Sequence, residues 1–486
     1  MIILPGNVAT ALGGGYEVAN SLRFDTASST DLVYTPSSTG SRRTFTWSVW
    51  IKRSKLGAGQ QIFTKKEGSG SDNNGNGNAD YLALTYFNSD DTLTVARNQE
   101  GDYINVSVAN KKFRDIGAWY HVVASIDTTQ GTGSNRVKCW VNGEAQSLTF
   151  TTTPTENRDL DFNQSGEAHH LGSYGDGSSA YFSGYLAECV LMDGTAVSDA
   201  TNFGEYDEDS PTIWKPKDVS GLSLGTNGFY LDFENSSSLG NDAAGSNNFG
   251  TVNNLAATDS TTDTPTNNFA TLNPSYHPPS NAPTLSEGNC KVVSNSTSFL
   301  GGIGSTIGVA SGKWYIEVKV TTRNTGAQIG VTSDPSEDAR NNRAIGYLAT
   351  SFGYQEDGQE VTNDTRGTYG ATYDTDIIGI ALDCDNNKIY YSKNGGWSDG
   401  DGTSDASTPN DYQTITAPAS TPTGFYFFGA SDGSSSATNT YEFNFGNPTF
   451  AISSGNSDAN GYGNFEYSVP SGYLSLCTKN LGSDGG

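Results

Sequence analysis

Along this chain apolar residues recur with period two in short stretches, and nowhere with the sustained 3.6-residue period of an amphipathic helix. Phe45, Trp47, Val49 and Ile51 fall on one side of such an alternation and Thr46 and Ser48 on the other, which predicts a half-buried strand. Residues 81–87 and 93–96 alternate in the same way. Residues 119–126 would face 137–141 across Gly131-Thr132-Gly133-Ser134 as a hairpin, and Asn142-Gly143 supplies the next tight turn because both residues tolerate positive φ. Residues 182–192 read as the strand that closes this first module.

Between about 239 and 287 the periodicity gives way to Asn, Thr, Ser, Asp and Pro, including Pro265, Pro274, Pro278, Pro279 and Pro283, which cannot donate to a central ladder. This predicts a linker; its Phe249, Phe269 and Tyr276 suggest that it lies packed on a domain surface. A second module begins near Cys290, where Trp314, Ile316, Val318 and Val320 alternate with Tyr315, Glu317 and Lys319. Further strands are expected at 377–384 and 388–392, joined by Asp385-Asn386-Asn387, and at 425–430 and 441–445.

With no convincing helix, two packed sheets per module are the way to bury these aromatic faces, so the expected class is all-β: two tandem β-sandwiches joined by a loop-rich linker. A chain of 486 residues exceeds one hydrophobic core. The expected division is an N-terminal anchoring segment over 1–20, a first domain over 21–235, a linker over 236–287, a second domain over 288–450 and a tail over 451–486.

Charge and composition narrow the function. A formal charge of −26 opposes a phosphate backbone, which argues against nucleic acid as a partner. The same excess repels anionic lipid, and no apolar run is long enough to span a bilayer, so no membrane insertion is expected. Met1-Ile2-Ile3-Leu4 is broken at once by Pro5-Gly6 and does not read as a signal peptide. A chain of extracellular character without an export signal is expected to leave its cell another way, such as lytic release of virus particles. The five cysteines, Cys139, Cys189, Cys290, Cys384 and Cys477, are scattered and odd in number, which predicts small core residues rather than disulfides or a zinc site.

Residues 21–193 resemble the laminin G-like, concanavalin A-like jelly-roll family through Ser21-Leu22-Arg23-Phe24-Asp25, the run Phe45 to Ile51, Trp119-Tyr120-His121-Val122-Val123 and the closing Phe182-Ser183-Gly184-Tyr185-Leu186-Ala187-Glu188. The resemblance implies binding of glycan or protein. The family often carries calcium and closes this strand with Asp-Glu, where this chain has Ala187-Glu188. Residues 290–450 resemble a SPRY domain through Gly312-Lys313-Trp314-Tyr315-Ile316-Glu317, Ile329-Gly330-Val331, Tyr369-Gly370, the run Asp376 to Asp383 and Asn444-Phe445-Gly446. That resemblance implies recognition without catalytic residues. The pairing of the two, with the run Asp263 to Pro274 and with Pro470-Ser471-Gly472-Tyr473, resembles tail-fibre-like virion proteins of marine bacteriophages.

Concanavalin A-like folds include glucanases, which need two nearby carboxylates. The nearest candidate is Glu205-Tyr206-Asp207-Glu208-Asp209, which puts Glu205, Asp207 and Asp209 on one side if extended; the following Ser210-Pro211 favours an exposed acidic loop. His169-His170, beside Glu167, lack further metal ligands at suitable spacing and are expected to be structural or surface residues. The loop Ser71-Asp72-Asn73-Asn74-Gly75-Asn76-Gly77-Asn78-Ala79-Asp80 offers oxygen ligands suited to Ca²⁺, without an EF-hand frame. Sugar sites pair aromatic rings with hydrogen-bonding neighbours. Tyr174 and Asp176 in the first module, and Tyr354, Tyr369 and Trp397 in the second, stand in Gly/Asp-rich surroundings of that kind and are the expected ligand-binding residues.

The expected function is therefore that of a non-enzymatic phage virion protein. As a tail fibre or appendage subunit it would recognise host-surface glycan or protein. Its other partners would be virion proteins and, by analogy with fibres, copies of itself. A capsid decoration protein anchored through its N-terminal segment is the second reading, and a glycan-cleaving enzyme the third.

Overall fold

The computed structural model describes residues 15–66, 81–98, 103–276, 282–294, 300–341, 343–432 and 438–484. They divide into two compact units, 15–266 and 267–484. Each is an antiparallel β-sandwich.

The first sandwich packs two eight-stranded sheets. One has Thr44–Arg53 at its centre, between Trp119–Asp127 and Gly184–Asp193, and runs out through Val137–Val141 to Glu144–Ala145 and through Ser21–Phe24 to Ser260–Thr261. The other runs from Leu148–Thr152 through Tyr81–Phe87, Gln60–Lys66 and His169–Leu171 to Asp31–Tyr34 and Thr251–Asn253. Their facing sides form the main core. Trp47 stacks there on Phe63 at 4.5 Å and its indole N–H donates to Thr85 Oγ1 at 3.0 Å, so the buried ring keeps its polar atom satisfied. The predicted 119–126/137–141 hairpin is present, with Ala124 opposite Cys139. At the next turn Asn142 and Gly143 have φ of 49° and 77°, both in the left-handed region that such a two-residue turn requires.

One expectation fails at the central strand. Nine of its ten residues are buried, on both faces. The reason is a second apolar layer: Val197, Ala200, Phe203, Val219 and Leu224, from an excursion beyond the closing strand, cover the outer face, where Trp50, Trp119, Trp140, Val123 and Tyr185 sit. Thr46 and Ser48 survive in this layer by bonding, Thr46 to the carbonyl of Thr195 and Ser48 to His121.

The second sandwich packs Lys313–Thr322, Ile377–Asp383, Lys388–Lys393 and Thr440–Asn444 with their neighbours against a six-stranded sheet centred on Ala327–Thr332, Phe427–Asp432 and Ser351–Gln355. Trp314, Ile316, Val318 and Val320 point into its core, as their alternation requires. Two short helices, Pro335–Arg340 and Thr478–Asp484, accompany the strands.

Two boundaries differ from expectation. The 236–287 stretch is not one linker: Thr251–Asn253 pairs with Asp31–Tyr34 and Phe249 is 1% exposed in the first core, whereas Ala270 and Leu272 lie in the second. Side-chain bonds explain how a segment poor in apolar residues is held; Asn253 Nδ2 donates to the buried Asp31 at 2.6 Å. Of the expected 451–486 tail, the described residues 451–484 likewise belong to the second sandwich, where Leu474–Ser475 adds a parallel strand beside Lys313–Thr322. All five cysteines are buried thiols.

Candidate functional site

A groove of about 720 Å³ opens on the outer face of the first sandwich. Trp50, Trp119 and Trp214 form much of its wall, and Tyr206 stands at its mouth. The volume is that of a small-molecule or oligosaccharide subsite. Its elements are the start of Trp119–Asp127, the turn after Val137–Val141, and the small hairpin Gly204–Tyr206/Trp214–Pro216, in which Tyr206 pairs with Trp214. Strand alternation puts Tyr206 and Trp214 on the groove side of that hairpin, their rings 4.9 Å apart and edge to face. Glu205 and Lys215 take the opposite side.

A neutral histidine orders the wall. His121, fully buried, stacks on Trp50 with ring centroids 4.6 Å apart and lies nearly parallel to Trp214 at 6.0 Å. The Trp214 indole N–H donates to His121 Nδ1 at 2.9 Å. That acceptor role leaves the proton on Nε2, which donates to Ser48 Oγ at 2.8 Å. Burial pushes the His121 pKa down to about 3, so this tautomer holds at neutral pH. Trp214 also needs the glycines beneath it: a Cβ at Gly143 would come within 2.3 Å of its ring and one at Gly204 within 2.5 Å. Trp119 is fixed differently. Its indole donates to Asp263 Oδ1 at 3.3 Å, and the other oxygen of that buried carboxylate accepts from Lys52 Nζ at 2.7 Å.

Tyr206 is the ring with an open face, 43% exposed, while the three tryptophans are each under a tenth exposed. Lys111, Lys112 and Glu144 bring charge to the rim, and Asn142 an amide. This is an aromatic-walled, polar-rimmed recess, chemistry suited to holding a ligand with an apolar face and hydroxyl edges.

Trp50, Trp119 and the 110–113 and 141–144 parts of the groove fall within a family match, and Tyr206 and Trp214 lie beyond its end. Residues 27–200 match the concanavalin A-like lectin/glucanases superfamily. Residues 313–411 match the SPRY domain. No curated protein sequence matches the chain. Similar solved structures include stonustoxin, at 19% identity over 36% of this chain and TM-score 0.26. The SPRY domain of human HERC1 is 15% identical over 35% of this chain and 96% of its own, with TM-score 0.27. A heptameric pentraxin from Limulus polyphemus is 18% identical over 38% and 80%, with TM-score 0.27. The match spans 27% of the length of stonustoxin.

The five residues expected to bind ligand do not meet in one site. In the SPRY domain Tyr354 and Tyr369 are core residues, stacked among Tyr373 and Tyr391 at 5.2 to 5.8 Å. Their hydroxyls donate to the carbonyls of Ala371 and Asp411, so both faces and the polar tip of each ring are already used. Trp397, 4% exposed, is packed beside Tyr315 under the tail. These three rings are corrected from stacking platforms to core. In the concanavalin A-like domain Tyr174 is half-buried and stacks on Tyr81 at 4.5 Å, and the exposed Asp176 accepts from the backbone N–H and hydroxyl of Ser178, bracing a turn.

The acidic hairpin is exposed at its tip, as expected. Lys215 Nζ lies 3.6 Å from Glu205 and 3.3 Å from Asp207, and Asp207 also accepts the turn amides of Asp209 and Ser210. The predicted structural histidines are buried in the strand His169–Leu171. His169 donates from Nδ1 to the Glu167 carbonyl and accepts at Nε2 from the Asn163 amide, and burial pushes its pKa down to about 3. His170 and Ser173 both bond Asp31 Oδ2, at 2.8 and 2.7 Å, so this trio is centred on its carboxylate and lacks the serine-to-histidine contact of a catalytic triad. Among the described residues no three His, Cys, Asp or Glu converge as a cation site. The 71–80 loop, the Ca²⁺ candidate, lies outside them.

The groove residues were missed by sequence reasoning, although one signal was present. Trp50 stands in the polar phase of 45–51, with Thr46 and Ser48. A tryptophan there demands a cover, and hence a second aromatic surface.

Proposed function

We propose that this chain is a non-enzymatic recognition protein of a bacteriophage particle, a tail fibre or appendage subunit, that binds host-surface saccharide in the groove walled by Trp50, Trp119 and Trp214. The groove is the observation that carries the binding half of this reading: ordered aromatic walls, one open ring at Tyr206, and a rim of amide and charged groups. The first sandwich matches a superfamily of lectins and glucanases and the second the SPRY domain, and the lectin likeness agrees with binding as the coarse function. The virion half rests on the sequence resemblance of the paired modules taken together with residues 263–274 and 470–473. On that reading the other partners are virion proteins and further copies of the chain, at the particle surface.

Binding is favoured over glycan cleavage by the carboxylates. Glycoside hydrolysis ordinarily needs two acids facing one bond. Among the described residues lining the groove, Glu144 is the only carboxylate.

The test is binding of the full chain, displayed multivalently, to host cells and to their purified envelope polysaccharide, beside Tyr206→Ala. Saturable binding that falls at least tenfold in the variant is expected. No binding at avidity-enhancing density would overturn the adhesive role. Microscopy of labelled intact particles separates a tail position from a capsid one, and absence from particles would remove the virion reading.

A further inference from the structure

We infer that the saccharide taken by the groove of the concanavalin A-like domain is an acidic one, carrying carboxylate or sulfate, read by Lys111 and Lys112. This rests on the groove being a saccharide site. The argument is one of charge against background. The chain holds 27 Lys and Arg against 53 Asp and Glu. At the groove the balance reverses: two lysines and one glutamate line it.

The nearby acids do not cancel the reversal: Asp115, three residues beyond Lys112, follows Arg114, and neither lines the groove. Glu205 and Asp207 lie on the far side of the hairpin from Tyr206 and Trp214, and are engaged by Lys215. Asp90 approaches Lys112 only at 4.0 Å, with both side chains about half exposed, an arrangement of little strength in water. Neighbouring fixed anions of an all-acidic surface would repel a charged sugar at longer range, so a site that accepts one must carry cations of its own.

The two lysines are also held in place. Asn110, just before them, adopts a left-handed φ of 55°. Just after them Phe113 is 3% exposed in the main core; its N–H donates to the Asp91 carbonyl at 2.9 Å, and its carbonyl accepts from Arg53 at 2.6 Å. The two residues between these anchors are exposed, and both line the groove. An exposed lysine pair on a pinned turn beside an aromatic wall can neutralise an anion while the rings take the apolar sugar face.

The probes are two matched pairs of oligosaccharides: oligogalacturonate with its carboxyl-reduced neutral form, and a heparin-derived oligosaccharide with its desulfated, carboxyl-reduced form. Affinity of the full chain is read by tryptophan fluorescence and calorimetry at 50 and 500 mM NaCl. We expect at least one acidic member to bind tenfold or more above its neutral partner. That preference should fall at least fivefold at high salt, and disappear in Lys111→Gln/Lys112→Gln. Both lysines are exposed, so the double variant should keep the parent's circular dichroism and melting temperature.

Equal or better binding of the neutral members would overturn the inference and leave the groove as a saccharide site. An acidic preference unchanged in the double variant would also overturn it, by placing the cation elsewhere. Absence of binding by any of the four, with no fluorescence change, would overturn the saccharide reading itself and the inference with it.

Discussion

The two sandwiches solve the same problem with different closures. In each, the central strand of one sheet buries its inner face in the main core and its outer face under chain that returns from elsewhere. In the concanavalin A-like domain the cover is the 195–224 excursion, joined to the sheet by rings: Trp214 to His121 to Trp50. In the SPRY domain the cover is the tail, whose Phe465 and Tyr473 close over Tyr315 and Trp397. There the join is a hydrogen-bonded carboxyl group. Buried Glu317 accepts the backbone N–H groups of Glu466 and Tyr467 at 2.9 and 2.7 Å, with Asn444 Nδ2 and the Tyr315 hydroxyl at 3.2 Å. A carboxylate that binds consecutive amides pulls a segment flat onto the sheet. A ladder of rings holds its cover by the edge and leaves a recess beside it, and that recess is the groove.

The difference can be broken most forcefully at Glu317. Glu317→Ala leaves the two backbone amides of Glu466 and Tyr467 without their acceptor, at roughly 1–3 kcal/mol for each unsatisfied group, while Asn444 Nδ2 keeps the Asn464 carbonyl. The SPRY domain should lose about 4 kcal/mol, seen as a lower denaturation midpoint for its transition alone. Limited proteolysis should then cut within the tail. An unshifted midpoint, or cleavage unchanged, would mean that the aromatic contacts alone hold the cover.

Trp214→Ala tests the other join. Truncating a buried tryptophan typically costs 3–5 kcal/mol, and the open groove beside this one places it at the lower end, about 3 kcal/mol. The groove loses a wall in the same step, so saccharide affinity should fall more than tenfold. Trp214→Phe separates the two effects: it restores packing without the indole N–H that meets His121. It should recover most of the stability. Full recovery of affinity as well would show the His121 bond to be irrelevant to the site.

Acid should pull the two domains in opposite directions. In the first, His121 and His169 are neutral when folded, with pKa values near 3 set by burial, but take up protons near pH 6.5 once unfolded. The unfolded state binds the extra protons between those values, so each histidine lowers stability as pH falls below 6.5, by up to about 1.4 kcal/mol per pH unit. Glu188 opposes them. Burial pushes its pKa up to about 8, and it keeps a proton on folding that the unfolded chain gives up near 4.5. Two groups against one leave a net loss of about 1.4 kcal/mol per unit between pH 6.5 and 4.5. In the SPRY domain burial pushes Glu317 and Asp338 up to about 7, and both gain as pH drops from 7 toward 4.5. Calorimetry at pH 6.5 and 5 should show the two transitions moving apart in opposite senses. Movement in one shared direction would contradict the assignment of these buried groups.

Much of the fold was legible because strands with one core-facing side write period two into the sequence, as at Phe45 to Ile51 and Trp314 to Val320. The covers were not legible. Residues 195–224 and 451–477 are poor in period-two pattern because irregular chain packs through single anchors such as Phe203, Trp214 and Phe465, whose spacing no ladder constrains. The 236–287 segment was misjudged for a related reason: its strands are two or three residues long and are held by Asn, Ser and Asp side chains that read as loop. The site was hardest. Tyr354, Tyr369 and Trp397 stand beside glycines and look exposed, yet all three rings are buried, and a Cβ at Gly370 would lie 2.8 Å from the Tyr354 hydroxyl. Flexible-looking surroundings marked tight packing rather than a binding surface.

The smallest expected effect discriminates between function classes. Asp207 accepts the amides of Asp209 and Ser210 and meets Lys215, all at a solvent-facing turn, so Asp207→Asn keeps the shape and hydrogen-bonding reach while removing the charge. Surface pairs of this kind contribute from zero to about 1 kcal/mol. The first domain's denaturation midpoint should stay at the parent's, and saccharide binding should not change, because the hairpin presents Asp207 away from Tyr206 and Trp214. A glycan-cleaving enzyme that used this acid would behave otherwise: the parent would release reducing sugar from host polysaccharide and the variant would lose that release with its binding intact. Release by the parent that persists in the variant would leave hydrolysis standing but move it to other carboxylates, with Glu144, at the groove itself, the first to replace.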